Sequence, residues 1–315
     1  MNRRDFLRTG SSVSIPLILN GFGLSAIPKN MITGSLDQSD KVLVLIQLNG
    51  GNDGLNTIIP IDQYDKLSQF RSNVLIPESD ILNINEKVGF HPSMAGLKEV
   101  YEDGKLCIVQ GVAYPNQNRS HFRSTDIWTS GSASEEFKST GWLGNYFDQN
   151  YPGYPEGYPN NDQPDPFALT IGSIVSETCQ GLSSNFSLAL NDPFNLSPLP
   201  EGATGMIPPT NYGSELAFLI EAIKQTNAYS DTITLAANNG SNLSDLYPED
   251  NRLAQQLKTV ALLISGGLKT NVYVVTIGGF DTHANQVDGA DVRTGEHAVL
   301  LELFTSEGIG TEIIA

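Results

Sequence analysis

Two apolar runs, each closed by a pair of glycines and an acid, constrain this chain more than any other feature. The first, Val42-Leu43-Val44-Leu45-Ile46, is rich in β-branched residues and gives way at Asn49-Gly50-Gly51-Asn52-Asp53-Gly54. The second, Val272-Tyr273-Val274-Val275-Thr276-Ile277, runs into Gly278-Gly279 and then into Asp281 and His283. Continuous apolar runs of this length suit strands buried on both faces, as in the parallel sheet of an α/β protein. Glycine lets the backbone turn sharply where a side chain would clash. Open α/β sheets place their ligands at the carboxyl ends of their strands. Two such strands therefore predict one shared site, at which Asp53 and Asp281 meet.

Between these runs the pattern continues to alternate, which favours an α/β class. The stretch from Gln63 to Val74 reads as helix, and Ile81 to Gly89 as a loop or short strand. Pro92 to Asp103 reads as a helix with Met94, Leu97, Val100 and Tyr101 on one face and Gly104 as its stop. Leu106 to Val112 is apolar enough for a second buried strand, so Val42 to Val112 is expected to form a right-handed β-α-β unit. A polar loop from Tyr114 leads into a helix ending near Gly131. Asn150 to Pro166, rich in Pro, Gly, Asn and Tyr, reads as an irregular surface loop. Core-type sequence resumes at Phe167-Ala168-Leu169-Thr170-Ile171. Ser183 to Thr210 is weak in regular structure, whereas Ser214 to Gln225 and Asn251 to Ser265 have helical periodicity. The absence of internal repeats leaves one domain with elaborated loops.

The formal net charge of −17 excludes nucleic acid as a partner, since nothing offsets repulsion from phosphate, and argues against docking on an anionic membrane. The two cysteines lack metal-site spacing. Cys107 sits in an apolar segment that predicts a buried, inert thiol, and pairing with Cys179 is left open by the sequence. At the N-terminus, Asn2-Arg3-Arg4-Asp5-Phe6-Leu7-Arg8 reads as a twin-arginine export signal. The apolar segment that follows, Ser11 to Leu24, is too short and too polar to span a bilayer. Residues 1–35 are thus set apart as leader and linker from an α/β domain over 36–315, and the translocase of that pathway is an expected partner. Its substrates cross already folded, often with a cofactor inserted.

Chemistry concentrates in a few side chains. The chain has four histidines. Asp281 and His283 offer a carboxylate and an imidazole from one loop, ligands suited to Zn²⁺ or a similar divalent ion; Asp53 would complete or bridge the site. Ser120 opens a helix in Arg119-Ser120-His121, where the field of the free N–H groups favours an alkoxide or an anion, although serine is also an ordinary N-cap. Ser120 and His121 are the catalytic candidates, with Ser124 competing for the serine's role and His121 lying either behind the reacting groups or in the core. His91 reads as a turn or capping residue. His297 lies at a helix start and faces either the site or solvent.

The order twin-arginine leader, L-N-G-G-N-D-G-L-N-T, F-H-P, S-H-F-R-S and G-G-F-D-T-H-A-N-Q resembles a family of exported bacterial proteins of unassigned function, related to the alkaline phosphatase and sulfatase superfamily. The resemblance covers nearly the whole chain. It implies an alkaline phosphatase-like α/β fold with a central, mostly parallel sheet and a metal site along its carboxyl edge. It also implies Asp53 on one metal, Asp281 and His283 on another, and Ser120 as nucleophile. Zinc is the expected ion, with manganese, magnesium and calcium as alternatives. The family continues into an F-S-E-F-G-R-like strand end and a D-H-G motif that this sequence does not reach by Ala315. The resemblance therefore implies a chain truncated at its C-terminus, lacking part of the sheet and at least two metal ligands. Two functions follow. One is an exported, periplasmic metallohydrolase of small phosphate or sulfate esters, with little turnover in this chain because the missing ligands leave transition-state charge poorly neutralised. The other is a non-catalytic exported binding protein on the same fold, with the loop over 150–166 as its contact surface.

Overall fold

The computed structural model describes residues 17–19, 22–24, 41–196, 207–242, 244 and 246–305. The chain divides into two units, 1–43 and 44–315. In the first, β1 (Leu17–Leu19) pairs antiparallel with β2 (Phe22–Leu24). The arginine pair of the expected leader and the final residues 306–315 lie outside the described residues.

The strands of the larger unit are β3 (Leu43–Leu48), β4 (Ile58–Pro60), β5 (Leu82–Asn83), β6 (Val88–Phe90), β7 (Ala168–Ile171), β8 (Ser187–Leu190) and β9 (Val272–Ile277). Its helices are α1 (Gly54–Thr57), α2 (Tyr64–Arg71), α3 (Ala95–Glu102), α4 (His121–Ser130), α5 (Trp142–Asn150), α6 (Asn211–Asn239), α7 (Arg252–Ser265) and α8 (Glu296–Thr305). The result is an α/β arrangement. A mostly parallel four-stranded sheet has the order β3-β9-β7-β8, and a small antiparallel sheet the order β4-β6-β5. Strand β7 runs parallel to both its neighbours, Leu169 standing opposite Leu188 on one side and Tyr273 on the other.

Strand β9 behaves as its β-branched run dictates. Val272, Tyr273, Val274 and Val275 are all buried, so both faces of the strand are covered. Helix α7 packs against it and presents Leu253, Leu257, Val260 and Leu263 as one buried stripe. Its start is fixed by Asn251, whose side-chain oxygen accepts from the Leu253 and Ala254 N–H groups at 3.0 and 3.2 Å.

Three expectations are corrected. Strand β3 is the edge of its sheet and is only half-buried, with Leu43 37 % exposed. No strand forms over Leu106 to Val112, so the β-α-β unit from Val42 to Val112 is absent. Gly111 there takes φ +68°, which breaks the extended run. Val109, Val112 and Cys107 are exposed, so the Cys107 thiol is not buried, and both cysteines are free. The buried thiol is that of Cys179, which burial pushes up to about 12 and keeps protonated.

The third correction concerns the loop over 150–166, which is not merely a solvated surface. Tyr154 is buried against Phe186, ring centroids 4.3 Å apart and stacked, while Tyr151 and Tyr158 close on Phe167 at 4.4 and 5.2 Å. These rings join Phe147 of α5 in one cluster under the sheet. Each such ring pair adds about 0.5–1.5 kcal/mol beyond its area. Strand β8, inside a stretch read as irregular, hangs on the same cluster through Phe186.

Candidate functional site

The two glycine-rich loops do meet. Beyond the ends of β3 and β9, the Asn49 N–H donates to the Ile277 carbonyl at 2.8 Å, and the Phe280 N–H to the Asn49 carbonyl at 3.1 Å. The carboxyl ends of the two strands therefore lie side by side. Gly50, at φ +115°, packs so tightly that a Cβ there would stand 2.5 Å from the Asp281 nitrogen. A Cβ on Gly51 would stand 2.4 Å from Cε1 of His121. The glycines thus allow close approach of three segments, rather than only a turn.

What gathers at this edge is His121, Asp281 and His283. Oδ1 of Asp281 receives Nε2 of His121 at 3.0 Å and Nε2 of His283 at 2.9 Å. A carboxylate only accepts, so each imidazole carries its proton on Nε2. His283 holds this contact at φ +45°, a left-handed conformation that a non-glycine residue adopts at a cost of about 1–3 kcal/mol. Strain of this kind is concentrated at functional sites.

Asp53 is engaged elsewhere. Its Oδ2 is paired with the Arg71 guanidinium and accepts from Nε2 of Gln286 at 2.5 Å, while Oδ1 caps α1 by accepting from the Leu55 N–H at 3.2 Å. The carboxylate is 13 % exposed and its lone pairs are largely spoken for. Arg71 carried no signal in the sequence, since it lies late in an unremarkable helix, and Gln286 closes the G-G-F-D-T-H-A-N-Q motif without announcing its partner.

Ser120 precedes α4 as its N-cap residue, yet its side chain makes no capping bond. Its competitor Ser124 is committed, sitting 3.0 Å from the Tyr114 hydroxyl and donating to the Asn118 carbonyl at 3.0 Å. A cleft of about 740 Å³ opens beside the cluster, lined from the sheet by Gln47, Thr170 and Thr276 and from α4 by His121 and Phe122.

Behind the Asp53 loop lies a second histidine pair. His297 is buried with Nε2 donating to Oδ1 of Asn52 at 3.1 Å, and its ring meets that of His91 edge-on at 5.8 Å. His297 therefore turns inward, onto the loop that carries Asp53, and not to solvent. His91 is a cap as expected, its Nδ1 accepting from the Ser93 N–H at 3.1 Å, and it is buried as well. Burial, and secondarily His297, holds the His91 imidazole down to about 4 from the ordinary 6.5; burial also lowers His297. The folded state thus binds fewer protons than the unfolded chain between these values. Stability is expected to be full above pH 6.5 and to fall as pH drops toward 4, by about 3 kcal/mol for His91. Urea denaturation at pH 7 and pH 4.5 measures this. In His91→Asn, whose side-chain oxygen can still accept from Ser93, the loss is expected to shrink by about half or more; an unchanged loss would show that His91 is not its source.

Two imidazoles and a carboxylate are a donor set of the kind catalytic zinc sites use, with a position left open. In kind and number they fit a divalent ion. Among the described residues, though, no group of three or more His, Cys, Asp and Glu side chains surrounds a common centre. The imidazoles are aimed at Oδ1 of Asp281 instead, and ligation of an ion through Nε2 would require each ring to shift its proton to Nδ1. No protein-family model, curated protein or solved structure matches the chain.

Proposed function

We propose that this chain is an exported, metal-dependent hydrolase of phosphate or sulfate esters, of low turnover, on an alkaline phosphatase-like fold and centred on His121, Asp281 and His283. The observation that carries the reading is the convergence of two imidazoles on one carboxylate oxygen at the carboxyl edge of a parallel sheet, with one of the two histidines strained into place. A divalent ion held by these three would supply Lewis-acid stabilisation of the charge that develops on the ester oxygens. Ser120, one residue before His121 and without a capping bond, is the nucleophile: its Oγ bonds to phosphorus or sulfur as the alcohol leaves with the serine's proton, and water then attacks the same atom, breaking the Oγ bond and restoring the hydroxyl as phosphate or sulfate departs. Before an ion enters, Asp281 orients both imidazoles by accepting from each.

Release of p-nitrophenol from the phosphate and sulfate esters, with zinc supplied, tests this. Ser120→Ala is expected to lower the rate by about a hundredfold or more, and Ser124→Ala to leave it within about threefold. Equal rates in wild type and Ser120→Ala would remove Ser120 from the mechanism. The pairing of Asp53 with Arg71 favours a second reading, an exported binding protein without turnover, because it withdraws the carboxylate that a second ion would need. Zinc binding with no ester hydrolysis would select it.

A further inference from the structure

The cleft next to the Asp281 cluster has a polar floor and an apolar rim. Phe122, the residue after His121, is 87 % exposed, and Ile174, in the loop after β7, is 79 % exposed; both line the cleft. Leaving a phenylalanine and an isoleucine this bare forgoes the free energy of burying them, unless a ligand covers them. The cleft is also lined by Arg252, its sole lysine or arginine. Among the described residues that guanidinium has no carboxylate partner. Of the carboxylates in the same lining, Asp281 is held by two histidines and Asp126 lies 3.8 Å from Arg123, which leaves Glu177 alone uncompensated.

We propose that this cleft selects anionic esters of apolar alcohols, Arg252 holding the charged group and Phe122 and Ile174 flanking the alcohol part. The assignment rests on the hydrolase reading above and names its substrate class. Arginine suits the role because its planar fork meets phosphate or sulfate oxygens with two parallel hydrogen bonds. The exposed rings and branches suit the other half, since they gain only when they cover apolar surface. Glu177 opposes the anion and sets a limit on affinity.

Binding and hydrolysis of 1-naphthyl phosphate and glycerol 2-phosphate by the full chain decide the matter, followed by naphthyl fluorescence, competition and phosphate release. Naphthyl phosphate is expected to bind at least about tenfold more tightly than glycerol phosphate, the factor that a partly buried aromatic group provides. Arg252→Met is expected to weaken both by about tenfold. Phe122→Ser is expected to weaken only the naphthyl ester, by about tenfold, and Glu177→Gln to tighten both. Equal binding of the two esters, no binding of either, or binding indifferent to Arg252 overturns the proposal. Hydrolysis of both esters without preference overturns it and leaves the hydrolase standing. Binding with the expected preference but no hydrolysis supports the cleft and removes the catalysis.

Discussion

Gly50→Ala is expected to destabilise the protein by about 4 kcal/mol, combining left-handed backbone strain with a backbone overlap that no side-chain rotation relieves. At φ +115° any Cβ is strained, and the atoms it would meet are the Asp281 nitrogen at 2.5 Å and the Phe280 carbonyl carbon at 2.9 Å. Neither is the end of a flexible side chain. The only relief is to part the two loops, which breaks the hydrogen bonds joining Asn49 to Ile277 and Phe280. For a domain of this size the loss corresponds to a fall in Tm of about 10 °C. Gly278→Ala is the control. It lies in the matching glycine pair, has open space around its missing Cβ and no left-handed φ. Its Tm is expected to stay within about 3 °C of wild type. If thermal melts show the two substitutions to be equivalent, the close approach of the loops is not what the first glycine pair is for.

The same two loops show what the sequence could and could not disclose. That both apolar runs become strands closed by glycine turns follows from local chemistry, because β-branched composition and glycine placement are written in adjacent residues. The S-H-F-R-S and D-x-H motifs likewise carried the residues that gather at the candidate site, His121, Asp281 and His283. What was hidden is pairing across the chain. Asp53 and Asp281 stand in equivalent positions after their strands, yet Asp53 is claimed by Arg71, 18 residues on, and by Gln286, 233 residues on. No local pattern announces such partners. His121 and Asp281 meet across 160 residues for the same reason.

Long-range packing also overrode local propensity in the core. Leu106 to Val112, by contrast, has the composition of a strand but is largely exposed coil for a local reason, the left-handed turn at Gly111. Strand β8 and the tyrosines over 151–158 have weak local signals, and tertiary contacts with Phe147, Phe167 and Phe186 bring them inside. A propensity reading sees the price of each conformation but not the neighbours that change its sign.

Whether the acidic residues of the two loops share a cation or divide their work is decided by zinc titration calorimetry on wild type, Asp281→Ala and Asp53→Asn. Asp281 joins two imidazoles, so its loss is expected to weaken zinc by about a hundredfold or more. Asp53 neutralises the half-buried Arg71, so Asp53→Asn is expected to leave zinc affinity within about threefold. It should instead lower unfolding free energy by about 2 kcal/mol, less than a fully buried pair because both groups keep some contact with water. Zinc binding abolished by Asp53→Asn, or surviving intact in Asp281→Ala, would contradict a site centred on His121, Asp281 and His283.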